Sequence, residues 1–282
     1  MKIHSALLLL PVLAACAANP PASAGPEAPT SVLAYSLAAP DTLVYDFADT
    51  TNSTIQGGAI GQINVSIGSR GSISVQLEPA RDATRATATL TDFAGTFRNS
   101  AGGGDVTAAA ADVRGPAVMT VSPRGEVTFV ETPTVSQQFR TVAGDNVFRR
   151  LFHRMPGGAV SVGTTWTDTI VTEENSEGMV SRTRNVIRSA YARDTTVAGR
   201  QLAVINSIAE RTLEVSGVSQ GIDIRQTLQG TANGVTLWDP QSRAIVSRTE
   251  SVDMRGTFDL PGMGVSGMPM TATGSLRMTL RQ

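Results

Sequence analysis

The chain has 282 residues, 23 of them Lys or Arg and 24 Asp or Glu, for a formal net charge of −1. A near-neutral surface lacks the basic face or stripe that nucleic acid requires, so no nucleic-acid partner is expected. One cysteine and two histidines exclude a disulfide framework and a Cys- or His-rich zinc site, and no metal or cofactor is expected.

The first predicted element ends at that one cysteine. Lys2 supplies a positive start, Ala6 to Leu13 form an apolar run broken only by Pro11, and small residues follow, which are the parts of a secretory signal. The run falls short of the ~20 apolar residues of a spanning helix. Cys16 comes directly after Leu13-Ala14-Ala15, and in that setting the leader resembles the lipobox of bacterial lipoproteins. The resemblance implies a signal peptide over residues 1–15, diacylglycerol on the Cys16 thiol and an acylated amino group. Several acyl chains make such an attachment stable, each buried CH₂ contributing ~0.8 kcal/mol. Ala17 stands where an aspartate would retain a lipoprotein in the inner membrane, so the outer membrane, facing the periplasm, is the expected address. Lys2 is the only lysine, so the mature chain would carry 22 arginines against 24 carboxylates, a net of −2.

Residues 16–40 combine the lipidated cysteine with Ala, Pro and Ser and one charge, Glu27. Such a segment buries too little apolar surface to offset its ordering entropy and is expected to be a disordered tether, with Ser31 to Ala39 resting against the domain at most. From Asp41 the dominant period is two. Leu43, Tyr45 and Phe47 alternate with Val44, Asp46 and Ala48, while Ile63, Val65 and Ile67, and Ile73, Val75 and Leu77, alternate with polar residues. Gly68-Ser69-Arg70-Gly71 reads as a hairpin turn between the last two runs. Thr84 to Thr91 is a further strand, Asn99 to Gly104 a glycine-rich loop and Val106 to Val113 a weak strand. Val118 to Val121 and Val127 to Val130 flank the turn Ser122-Pro123-Arg124-Gly125.

Between Thr134 and Met155 the period changes. Val135, Phe139 and Val142, and then Val147, Leu151 and Met155, recur at helical spacing, with Phe148 and Phe152 beside the second set. Gly144-Asp145 suits a helix end and the next N-cap. Beyond Pro156-Gly157-Gly158 the strands resume with Trp166, Asp168 and Ile170, followed by an acidic loop from Glu173 to Gly178. The strand Met179 to Tyr191 sets Arg182, Arg184 and Arg188 on one face with Val180 and Val186, and a bulge is allowed there. Leu202 to Ile208, Leu213 to Val215, Ile222 to Ile224 and Val235 to Leu237 alternate, and Asp239-Pro240-Gln241-Ser242 is a type I turn. Ile245 to Arg255 and Leu276 to Leu280 are the last strands, with Gly262 to Met270 an apolar loop between them.

Catalytic signals are weak. His153 lies between Phe152 and Arg154, and its arginine neighbours disfavour the imidazolium. Glu173, Glu174 and Glu177 read as a solvated hairpin tip, and Gly102-Gly103-Gly104-Asp105 lacks the Lys-Ser/Thr of a phosphate loop. No enzyme is expected.

The order of elements, with Phe139, Phe148, Leu151 and Phe152 on the inner side of a central helix pair, is similar to the exported half-barrel carriers of lipids and lipoproteins, the LolA and LppX group. Leu151 to Pro156 and Val160 to Trp166 also resemble a passage of uncharacterised bacterial lipoproteins. The fold expected is mainly β, a single strongly curved antiparallel sheet, half-barrel or open barrel, packed on one or two central helices over residues 41–282. The carrier resemblance implies an apolar ligand or lipid between sheet and helices, and Phe139, Phe148, Leu151, Phe152, Trp166, Met263 and Met268 are its candidate contacts. The alternative is a structural or interaction module with a filled core. The oligomeric state is left open.

Overall fold

A computed structural model describes residues 30–35, 40–57, 61–102, 104–143, 146–176, 178–219 and 221–281. The lipobox and Cys16 lie outside them, as does the Gly144-Asp145 junction.

Long strands dominate. β1 (Thr30–Leu33) precedes β2 (Asp41–Gly57), β3 (Gly61–Ala80), β4 (Ala83–Asn99) and β5 (Val106–Ala109). Next come β6 (Val113–Arg114), β7 (Ala117–Val121), β8 (Val127–Glu131), β9 (Thr134–Val135) and the helices α1 (Gln137–Val142) and α2 (Asn146–Arg149). The second half holds β10 (Gly158–Ser161), β11 (Thr165–Ser176), β12 (Met179–Val197), β13 (Arg200–Ser219), β14 (Ile222–Asp239), β15 (Ala244–Leu260) and β16 (Val265–Leu280). Twelve strands make one antiparallel sheet in the order β11-β12-β13-β14-β15-β16-β2-β3-β4-β7-β8, with β5 also on β4. β16 pairs with β2, so the last strand of the chain joins the two halves.

Alternation gives the sheet one polar and one apolar face. On β2, Leu43, Tyr45, Phe47, Ser53 and Ile55 point inward and are buried, while Ala48, Thr50, Asn52 and Gln56 point outward and are exposed. Outward positions elsewhere carry Arg182, Arg184 and Arg188 of β12 against Glu210, Thr212 and Glu214 of β13. The inner face meets the helices only at one end, here called the near end. There Phe139, Phe148, Leu151 and Met155 share a single core with side chains from β2, β3, β4, β13 and β14. β4 and β13 lie six places apart in the sheet, so only a strongly curved sheet brings them onto the same helices.

The curvature has local causes. A Cβ on Gly71 would stand 2.2 Å from the Asp92 carbonyl oxygen, and the β3–β4 register slips at Ser72/Ile73 beside it. A glycine and a bulge together let one strand cross tightly over the next. Gly230 and Gly256 likewise admit the backbone of the neighbouring strand at the middle of β14 and β15. Gly95 has a different role, since its Cβ would fall 2.2 Å from Cγ1 of Val142, and α1 is seated on the gap.

Wrapping brings the two edges of the sheet together at the near end. Arg124, in the β7–β8 turn, pairs with Asp168 of β11 at 3.2 Å. Among the described residues no ladder joins β8 to β11, so the sheet stays an open barrel with a tied seam. Thr30–Leu33 lies in that seam, paired with β10. Leu33 and Tyr35 are buried, Trp238 Nε1 donates to the Val32 carbonyl at 3.0 Å, and Tyr35 N donates to the Pro123 carbonyl at 3.0 Å.

Several expectations are corrected. The tether does not run to residue 40, because 30–35 is packed into the fold by Leu33, Tyr35 and the bond from Trp238. Gly68 to Gly71 is no turn: β3 passes straight through it, with Gly71 serving close strand contact. Glu173 and Glu174 belong to β11. β12 keeps one register from Met179 to Tyr191 and bulges only beyond Tyr191. The Gly262 to Met270 segment is a short 3-10 turn at Pro261–Met263 followed by strand, which buries Met268 and Met270 on the inner face. The helical region is shorter than its period suggests, with α1 capped by Ser136 Oγ accepting from Phe139 N at 3.2 Å.

Candidate functional site

The near end is closed by its own side chains. Phe139 packs on Phe93 with ring centroids 4.9 Å apart, and Tyr35 sets its ring edge to face against Trp238 and Phe152. Of the candidate ligand contacts, Phe139, Phe148 and Leu151 are buried here, and Phe152 and Trp166 pack against the same core half-buried. Trp166 Nε1 donates to the Arg154 carbonyl at 3.0 Å. A void of about 20 Å³ remains at the rim, between Phe47, Ile73 and Met278 on the sheet and Ala143, Val147 and Leu151 above them. That is room for about one water, so the space between helices and sheet is filled where the carrier resemblance predicted a ligand. Met268 lies at the opposite end of the sheet, and Met263 is exposed on its 3-10 turn. The seven candidates therefore do not form one site.

His153 is buried, its backbone N–H donating to Tyr35 Oη at 2.9 Å and its Nε2 3.5 Å from Ser189 Oγ. Burial, reinforced by the Arg248 charge, pushes the imidazole down to about 3, so it is neutral. Ser189 is buried with it, which leaves this Ser–His pair no route to a substrate. Burial also raises the Tyr35 and Tyr45 phenols.

Halfway along the strands the inner face changes character. Arg211 of β13 reaches over Gly230, Ala232 and Gly234 of β14, where larger side chains would block it, and donates through Nη2 to Glu250 Oε1 at 3.0 Å. Its Nε donates to Asn185 Oδ1 at 2.7 Å. Arg248 Nη2 donates to Glu250 Oε2 at 2.7 Å, and its Nη1 to the Arg150 carbonyl at 3.2 Å. Arg150, just past α2, crosses β16 to pair with Asp49 of β2. Burial would raise the Glu250 carboxyl, but Arg248 and Arg211 outweigh it and hold the group at about 2. Nothing in the spacing of Arg150, Arg211, Arg248, Glu250 and Asp49 marks this belt in the sequence, because it forms across β13 to β2 only when the sheet curls.

Beyond the belt the inner face turns apolar again. The cross-strand row Ala209, Ala232, Val252, Gly274, Thr51 and Ile67 is followed by Arg211, Gly230, Met254, Ala272, Ser53 and Val65 and then by Leu213, Leu228, Gly256, Met270, Ile55 and Ile63, so Arg211 is rooted inside this stretch and its side chain turns back to Glu250. Small residues on β14 to β16 (Ala232, Gly256, Ala272, Gly274) stand there among Leu228, Val252, Met254 and Met270 of the same strands. Ile55, Leu228, Met254, Met268 and Met270 are buried in a second cluster, against which Ile63, Leu213, Val252 and Phe258 pack partly open.

Compared with protein-family models and with curated proteins, the chain matches none.

Proposed function

We propose that this chain is a lipid-anchored, non-enzymatic protein of the bacterial cell envelope, held at the outer membrane through Cys16 and facing the periplasm, whose sheet receives an apolar ligand. The ligand seat is the inner face beyond the arginine belt, in place of the space around Phe139 and Phe148. One observation carries this reading: the helices cover only the near end, and the inner face continues past them as a second, methionine-rich cluster around which Leu213, Val252, Phe258 and Ile63 stay partly open. Partly open apolar side chains gathered on one face mark a binding surface more often than scattered ones do. The polar outer face supports a domain hydrated on its convex side.

The filled near end favours a second reading, a structural or interaction module without ligand. Native mass spectrometry of the purified protein separates the two. Under the first, copies carry an extractable apolar molecule or take up a fluorescent acyl probe at one per chain, and Leu213→Glu abolishes uptake. Absence of both would select the module. The anchor has its own test: labelled palmitate and membrane fractionation should both be lost in Cys16→Ala.

A further inference from the structure

We infer that the free edge of β11 pairs with the β11 of a second copy of this chain, joining two sheets into one across a two-fold axis at Thr172. The inference concerns the sheet edge and does not depend on the ligand reading.

The two edges of the sheet are built differently. One is broken into short pieces, β5 of four residues and β8 of five, with Pro133 just beyond. Short strands and proline are usual ways to blunt an edge. The other edge is β11, twelve residues without proline, glycine or lysine, of which six between Thr165 and Thr172 are β-branched. Among the described residues it pairs with β12 alone. Its acids do not guard it, since Asp168 pairs with Arg124 and Glu173 with Arg182.

Which backbone groups are open follows from one bond. Tyr191 N donates to the Thr164 carbonyl at 2.9 Å, so even-numbered residues of β11 turn their N–H and C=O toward β12 and odd-numbered ones turn theirs away. The near part of the edge is closed by the seam, where Arg124 holds Asp168 and Trp166 Nε1 donates to the Arg154 carbonyl. That leaves Thr169, Val171, Glu173 and Asn175 with N–H and C=O groups directed at no strand among the described residues.

Charge selects the occupant. An antiparallel second copy centred on Thr172 sets Val171 opposite Glu173, Thr169 opposite Asn175, Ile170 opposite Glu174 and Thr172 opposite itself. All four open residues then exchange hydrogen bonds, and no two acids face each other. Centring on Val171 would oppose Asp168 to Glu174, and centring on Glu173 would oppose that residue to itself, both destabilising. The segment of the same chain before β1 is a poor occupant, because Pro20, Pro21, Pro26 and Pro29 lack the N–H that a ladder needs.

The test uses the full chain carrying Cys16→Ala, which has no other cysteine. Sedimentation velocity across a hundredfold range of concentration should show monomer giving way to dimer. Val171→Pro removes an N–H that bonds nothing within the chain, so it should weaken the dimer at least tenfold while thermal unfolding of the monomer stays unchanged. Ile170→Pro removes a donor to β12 and should instead lower the unfolding temperature. Opposed residues of a non-hydrogen-bonded pair lie about 4.5 Å apart at Cα, within disulfide reach. Thr172→Cys should therefore oxidise to a covalent dimer, and Asn175→Cys should not. A monomer throughout the range, a dimer indifferent to Val171→Pro, or equal cross-linking at the two cysteine positions would overturn the inference.

Discussion

His153 shows how little a residue's type says about its role before its surroundings are known. In the sequence it is a histidine among arginines. In the fold it is enclosed by Tyr35, Ser189 and Arg248, and its pKa of about 3 lies below the ordinary value of 6.5. The unfolded chain binds the proton first, so folding stability is complete above about pH 6.5 and falls as the pH drops from there toward 3, by on the order of 4 kcal/mol across the window. Glu250, held at about 2 against an ordinary 4.5, adds its own loss only below about pH 4.5. Urea unfolding between pH 7 and 5 therefore isolates the histidine. His153→Gln should flatten the profile there, and an unchanged slope would mean that the imidazole is not neutral in the fold. The arginine belt follows the same principle at greater distance: Asp49, Arg150, Arg211 and Glu250 are more than 30 residues apart in every pair, and only strand order makes them neighbours.

At the scale of the element, the strands were legible because inward and outward side chains alternate, and mainly β with a curved antiparallel sheet is what the chain forms. Their lengths were not. Gly68 and Gly71 carry turn chemistry in sequence, yet both lie inside β3, where the missing side chain of Gly71 allows Asp92 to approach. Met268 and Met270 read as loop because Gly262, Gly264 and Gly267 precede them, though only a short 3-10 turn intervenes. β1 was missed for a related reason: four residues beside a Pro-rich stretch show no period, and their place is decided by Trp238 and Tyr35. The docking of α1 yields a direct prediction. Gly95→Ala thrusts a methyl into Val142 and should cost about 1–3 kcal/mol of stability, and Val142→Ala in the same chain should recover part of it. A double variant no better than the sum of the singles would place the helix elsewhere.

For the molecule as a whole, the fold is unevenly braced. The near end has the helices, the aromatic core and the seam, and the far end has a small methionine-rich cluster supported mainly by its own strands. Amide exchange should accordingly be slowest in β3, β4 and β13 near the helices and faster toward the β15–β16 turn. Arg124→Ala removes the ion pair across the seam, a partly exposed contact worth about 0.5–1 kcal/mol. Its effect on overall stability should be slight, but exchange in 30–35 and 158–161 should quicken selectively. Uniform quickening would show that the seam does not open as a unit.

The entry of the chain into the domain has a geometric consequence. Thr30 lies beside the tied edges, next to Ser161 and close to Tyr191, while the methionine-rich cluster lies toward the other extremity of β13, which is some fourteen residues or about 45 Å away. Under the anchoring proposal the leash leaves from the sealed pole, so the bilayer that holds the protein and the methionine-rich end of the sheet sit at opposite poles.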